Sequence, residues 1–146
     1  MYSLSLKKVL ICHATHAPFC SWTIPKGLPL QNETYWNAAC RELLEETGID
    51  ISKIKVDEVI ELPIQHYRQQ KKQIISFLII TNENFRRHHF ECKSFVNHQF
   101  PEIDQCKWME LQNAKKLVHE SQQPQLNFIK KEIMKRIRNK NQKLSG

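Results

Sequence analysis

No apolar run in the chain approaches the roughly 20 residues that a bilayer span needs. The longest, residues 74–80, is broken by Ser76. No CxxC pair occurs among Cys12, Cys20, Cys40, Cys92 and Cys106, and an odd set of five does not suit a disulfide framework. Reduced thiols in a cytosol are the expectation. The N-terminus also lacks the basic, apolar and small-residue order of a secretory leader, because Lys7 and Lys8 follow the first apolar residues. No stretch reads as a linker, an internal repeat or a low-complexity segment. These absences leave one cytoplasmic, soluble domain over residues 1–146, with no membrane partner.

What is present begins with charge. The formal net charge is +7, a value that invites a nucleic-acid reading, so its location matters. Residues 126–146 hold seven basic side chains (Lys130, Lys131, Lys135, Arg136, Arg138, Lys140 and Lys143) against the single acid Glu132. The body is close to neutral, and the basicity belongs to one end.

Residues 4–14, rich in Val, Ile and Leu, read as one strand or a hairpin broken at Lys7 and Lys8. Trp22, Thr23 and Ile24 form a short strand stopped by Pro25, Lys26 and Gly27. Asn32 is read as a helix cap, with the helix running over residues 33–47 and closing at Gly48. Strands are expected over 55–63 and 73–81, separated by a polar loop at 66–72. Further strands fall within 90–96 and at 107–109. Leu111, Ala114, Leu117 and Val118 have helical spacing. A basic C-terminal helix over about 124–140 places Leu126, Ile129, Ile133 and Ile137 on one face. Strands interleaved with helices predict an α/β domain, with helices packed on a sheet.

Within the helix at 33–47, Glu42 lies about 40° and Glu45 about 100° from Glu46 on the helical wheel. Leu43, Trp36, Thr47, Cys40 and Leu44 fill the opposite arc. Three carboxylates this close raise one another's pKa unless cations hold them ionised. Hard divalent ions with oxygen ligands suit such a site, Mg²⁺ above all where substrate phosphates complete the ligand set. Alone, the same pattern also describes a solvated acidic face.

The frame around the acids decides between these readings. Gly27, Glu33, Arg41, Glu42, Glu45, Glu46 and Gly48, with aliphatic Leu43 and Ile49, fall in the register G-x5-E-x7-R-E-U-x-E-E-x-G-U, where U is aliphatic. Every fixed position is filled without a gap. This stretch resembles the Nudix box. The residues also make physical sense one by one. Gly27 brings bare backbone close to a cation, Glu33 places negative charge at the start of the helix, and Arg41 offers a forked donor that can hold a glutamate. The resemblance implies the Nudix fold, a mixed β-sheet sandwiched between helices. It also implies that Glu42, Glu45 and Glu46 coordinate Mg²⁺ or Mn²⁺, with the Gly27 carbonyl a further ligand.

Nudix hydrolases often use one more acid outside the box as ligand or general base. Glu91, Glu102 and Asp104 are the candidates, and Glu102 is preferred because it lies six residues before Trp108, an acid-then-tryptophan segment similar to that of several such enzymes. The reaction implied is metal-assisted displacement at phosphorus, with cations neutralising the leaving diphosphate. Glu46, Glu42 or Glu102 would accept the proton of the attacking water. Lys26 would meet a phosphate oxygen.

For substrate, residues 21–27 resemble the W-T-x-P-K-G entry of enzymes that cleave diadenosine polyphosphates and diphosphoinositol polyphosphates. Tyr67, with Lys71 and Lys72 ahead of a strand, is similar to asymmetrical diadenosine tetraphosphate hydrolases; the tyrosine would stack on a base and the lysines would hold phosphates. Residues 100–108 and 111–114 resemble predicted bacterial nucleoside triphosphate pyrophosphohydrolases. One departure is the short start, residues 1–14 without glycine, which bears on the base-binding region. His13, His16, Cys12 and Cys20 fit no zinc spacing. Two alternatives stand beside a small nucleotide substrate. One is a 5′-triphosphate or capped RNA gripped by the basic helix. The other is a non-catalytic nucleotide-binding module, which usually shows losses among the box glutamates; here none is lost.

Overall fold

Residues 8–14 alternate in the way a strand buried on both faces requires: Val9 and Ile11 point to one side, Leu10 and Cys12 to the other. All four are fully buried. The computed structural model describes residues 1–19, 21–69 and 71–144; Cys20 lies outside them. Strand β1 (Tyr2–Ser3) turns through residues 4–7 into β2 (Lys8–Ala14), a hairpin whose first arm lies ahead of the residues 4–14 expected to hold it. β3 (Trp22–Thr23) pairs with β2, while β4 (Glu58–Tyr67) and β5 (Lys72–Thr81) form a long antiparallel ribbon. β1 joins β5 in parallel, making the sheet mixed. Two short strands, β6 (Phe95–Val96) and β7 (Phe100–Pro101), form a two-stranded sheet of their own among the described residues, and β8 (Ile103–Met109) returns antiparallel to β2.

Helices cover both faces. α1 (Tyr35–Thr47) packs Leu43 against Leu10, Ile49, Ile79 and Phe85. On the other face, α2 (Leu111–Leu117) and α3 (Gln123–Leu144) pack Ala114, Leu126, Ile129 and Ile133 against Val9, Ile11, Leu78 and Ile80. The neighbours Leu78, Ile79 and Ile80 thus alternate between the two clusters, as the period of a strand dictates. Arg136 of α3 pairs with Glu58 at the start of β4. Among the described residues no helix is long and apolar enough to cross a membrane.

Several expectations need correction. Thr34, not Asn32, caps α1: its hydroxyl accepts the Asn37 N–H at 3.2 Å, whereas Asn32 sits in a turn with φ 63°. Glu33 therefore precedes the helix. β4 begins at Glu58, not Lys55, whose N–H goes to the Glu83 side chain and not to a strand backbone. It runs on to Tyr67, past a bulge between Leu62 and Gln65 that accommodates Pro63. The polar loop shrinks accordingly, and His66, Tyr67 and Lys72 are paired strand residues. β8 starts four residues ahead of the predicted Lys107, and α3 continues to Leu144. Ile137, expected on the buried face, is 49 % exposed because that end of α3 has passed the edge of the core.

Candidate active site

The loop from β3 to α1 and the last two turns of α1 bring the box residues together, with Arg41 at the centre. Its Nε and Nη2 donate to the two carboxylate oxygens of Glu33, each at 3.0 Å. Nη1 donates to Glu42 at 2.7 Å and to Glu45 at 3.0 Å, and Nη2 also reaches the Leu28 carbonyl at 2.9 Å. One guanidinium thus fixes three acids and a loop, for which lysine has neither the fork nor the number of donors. Glu33 further accepts the Leu30 N–H at 2.8 Å. The Arg41 bonds foremost, then this backbone donor, hold its pKa below the ordinary carboxylate value. Its place is that of a clamp that organises the loop ahead of α1.

Glu46 differs from its neighbours. It is 1 % exposed, and one carboxylate oxygen accepts the Lys26 N–H at 3.0 Å. Burial lifts its pKa to about 8, opposed by Lys26 and reinforced by the charges of Glu42 and Glu102. Glu42 is also shifted upward, first by burial, with Glu45 and Glu102 adding to the shift and Arg41 opposing it. Gly27 has a steric role besides its carbonyl: a Cβ there would stand 1.8 Å from Cδ of Glu42. The bare residue makes room for that carboxylate.

The charge of Glu102 adds the last and smallest contribution to the upward shifts of Glu42 and Glu46. Its carboxylate accepts the Ser94 hydroxyl at 2.6 Å. Of the other two acids considered, one is committed elsewhere. Asp104 pairs with Nδ1 of buried His13 at 2.8 Å, whereas for Glu91 the contact is one of backbone, its N–H donating to the Thr47 carbonyl at the end of α1. Of the residues weighed for zinc, His13 is thereby engaged, and the Cys12 thiol lies 2.9 Å from that of Cys106 beneath Glu46.

Among the described residues no three acids, histidines or cysteines already converge on one point, for Arg41 takes one oxygen each of Glu42 and Glu45. The donor set nevertheless fits a hard divalent ion. It is all oxygen, from Glu42, Glu45, Glu46, Glu102 and the Gly27 carbonyl, and two of its carboxylates are held in burial that penalises their charge.

Tyr67 lies apart from the acids. With Gln65, His66, Arg68, His119, Glu120, Ser121 and Pro124 it lines a cavity of about 510 Å³; Lys71 and Lys72 are exposed beside it and line no part of it. The segment before α3 connects cavity and acids. His119 N–H donates to the Trp22 carbonyl at 3.1 Å. Buried Gln122 accepts the Ile24 N–H at 2.9 Å and donates to Thr23 at 2.7 Å, two residues ahead of Lys26. Sequence reasoning missed Ser94 and the wall over residues 119–124, because both act across the fold and neither carries a local signature.

The sequence model of the NUDIX domain matches residues 4–135. Among solved structures, Ap4A hydrolase of C. elegans in a binary complex superposes with a TM-score of 0.63 at 24 % identity, covering 87 % of each chain. The E. coli dihydroneopterin triphosphate pyrophosphohydrolase gives 0.57 at 19 %, covering 86 % of each. Subunit 2 of the mRNA-decapping enzyme of Arabidopsis thaliana is 38 % identical over 64 residues, 43 % of this chain but only 16 % of that protein.

Proposed function

The chain belongs to the NUDIX family, and from that premise we propose that it is a pyrophosphohydrolase that cleaves a phosphoanhydride bond in a nucleoside polyphosphate, with a diadenosine polyphosphate or a nucleoside triphosphate as substrate. The observation that carries this reading is the pairing of two places. One is a buried carboxylate cluster ordered by Arg41; the other is the Tyr67 cavity, joined to it through β3 and Lys26. A base stacks on Tyr67, while Lys71 and Lys72 meet distal phosphates from outside the cavity. Lys26 neutralises a phosphate oxygen beside Glu46.

Glu42, Glu45 and Glu46, with the Gly27 carbonyl, would hold Mg²⁺ or Mn²⁺. Bound there, the cation supplies charge neutralisation to the diphosphate. The protein's own groups do the rest. Arg41 keeps Glu42 and Glu45 oriented, and Glu33 keeps Arg41 oriented. Glu102, anchored outside the Arg41 network, is the proton acceptor for the attacking water, a role for which Glu46 and Glu42 are the alternatives. The reduced thiols suit a cytoplasmic setting.

A second reading, hydrolysis at the 5′ end of an RNA, draws on the 64-residue likeness to the decapping subunit and on the lysine-rich outer face of α3. A substrate panel with Mg²⁺ and with Mn²⁺ separates the two. It comprises diadenosine tetraphosphate, nucleoside triphosphates, ADP-ribose, a diphosphoinositol polyphosphate, and triphosphorylated and capped RNA. Turnover confined to the RNAs would overturn the small-nucleotide assignment, and a chain inert to every member would leave only a nucleotide-binding module.

A further inference from the structure

The last turn of α1 leaves carbonyls without helical partners, as every helix end does, and the segment before β6 meets them. His88 Nε2 donates to the Thr47 carbonyl at 3.2 Å, Glu91 N–H to the same oxygen at 3.4 Å, and Lys93 N–H to the Glu45 carbonyl at 2.6 Å. The residue after that last contact is Ser94. It therefore travels with the helix that carries Glu42, Glu45 and Glu46.

Ser94 then grips Glu102 twice, once through its carbonyl, which accepts the Glu102 N–H at 2.8 Å, and once through its hydroxyl, which donates to Glu102 Oε2 at 2.6 Å. From the opposite side, Thr15 N–H donates to the Glu102 carbonyl at 3.0 Å, and its hydroxyl bonds the Pro101 carbonyl. The backbone of Glu102 is thus pinned between β2 and the β6–β7 hairpin. Its side chain, by contrast, is held by the Ser94 hydroxyl. That bond occupies one carboxylate oxygen and aims the other.

We propose that Ser94 is a positioning residue for the hydrolysis: its hydroxyl sets the Glu102 carboxylate at a fixed place relative to the α1 glutamates. The proposal rests on the role given to Glu102 above and adds to it the device that links Glu102 to α1. A glutamate has three side-chain torsions, and holding it in one arrangement carries an entropic cost that a single charge-assisted bond can offset. Displacement of a reacting group by about 1 Å can cost a hundred-fold in rate, so this bond acts on turnover. It touches neither base nor phosphate, so substrate affinity is spared.

The test is a double-mutant cycle, run with the panel substrate that is hydrolysed fastest and with Mg²⁺, on Ser94→Ala, Glu102→Ala and the double variant, with Ser94→Thr alongside. Glu102→Ala should lower kcat by roughly a hundred-fold or more. Ser94→Ala should lower it by about ten-fold or more with KM within two-fold, and Ser94→Thr, which keeps the hydroxyl, should restore most of the loss. In the Glu102→Ala background, Ser94→Ala should cost nothing further. Melting temperatures within a few degrees of wild type would exclude unfolding as the cause. Wild-type kcat in Ser94→Ala beside a crippled Glu102→Ala overturns the proposal and leaves Glu102 standing. Wild-type kcat in Glu102→Ala removes both. An equal loss from Ser94→Ala in the two backgrounds makes Ser94 mere scaffold and also overturns it.

Discussion

Glu46 is buried beside Glu42 and within reach of the charge of Glu102, so in the absence of a cation its ionised form is costly. The sign of the consequence follows from linkage. With a folded pKa of about 8 against an ordinary 4.5, the folded protein keeps a proton that the unfolded chain gives up between those values. The stability tied to that proton is complete below pH 4.5, falls as pH rises, and is gone above pH 8. Thermal melts in a chelator should therefore show the metal-free protein less stable at pH 8 than at pH 5. Glu46→Gln, which still offers an oxygen to the Lys26 N–H, should flatten most of that slope; Glu42, shifted the same way, leaves a residue of it. Added Mg²⁺ should raise the wild-type melting temperature at pH 8 and leave that of Glu46→Gln nearly unmoved. The same variant should lose Mg²⁺-dependent hydrolysis while remaining folded, and full activity in it would sink the carboxylate-cluster assignment. Gly27→Ala makes an independent prediction. Its Cβ overlaps the Glu42 carboxyl, so kcat should drop by roughly two orders of magnitude. The exposed loop around it should leave the melting temperature within a few degrees.

At the scale of the element, α1 was the most legible part of the chain, because its limits are set locally. Gly48 ends the helix at φ 75° with its N–H on the Leu44 carbonyl, as a glycine after an amphipathic run announces. A Cβ on Gly48 would find its nearest heavy atom at 3.5 Å. Gly48→Ala should therefore cost only the left-handed conformation, about 1 kcal/mol, and Thr34→Ala about the same through its lost cap. In a chain of this size each should lower the melting temperature by about 2–4 °C; a much larger fall at Gly48 would mean a clash that the contacts exclude. Asn32 announces the start of α1 two residues early, for Asn and Thr both suit a cap and the turn geometry decides for Thr34. Long-range pairing hid more. β4 and β5 extend each other past the polar residues at 65–67, and no local pattern announces that Lys93 will bond Glu45 or that Ser94 will hold Glu102. The acids of the box are readable because Gly27, Glu33, Arg41 and Gly48 frame them in the register of a known family, where helical spacing alone describes a solvated face equally well; the groups that support them from 88–102 belong to contacts made only on folding.

At the scale of the whole molecule, the basic end of the chain has two jobs that the sequence merged into one helix. Leu126, Ile129 and Ile133 are core residues and Arg136 is tied to Glu58, so removing residues 126–146 would take out part of the core along with the charge. The exposed cations Lys130, Lys131, Lys135, Arg138 and Lys140 can instead be neutralised in place. Replacing all five with glutamine keeps the apolar face and lowers the net charge from +7 to near +2. If the substrate is a small nucleotide handled between the Tyr67 cavity and the α1 acids, that variant should hydrolyse it with kcat/KM within about two-fold of wild type at moderate salt, because none of the five lines that cavity or the carboxylate cluster. An RNA substrate makes the opposite demand. Phosphate contacts release counterions, so the logarithm of affinity falls with the logarithm of salt at a slope near 0.7 per neutralised phosphate on a single strand. The variant should then bind RNA more weakly at low salt and with a shallower slope. Measuring both quantities on the same preparation assigns the outer face of α3: unchanged nucleotide turnover with unchanged RNA binding makes it a solvated face, and selective loss of RNA binding makes it a phosphate track.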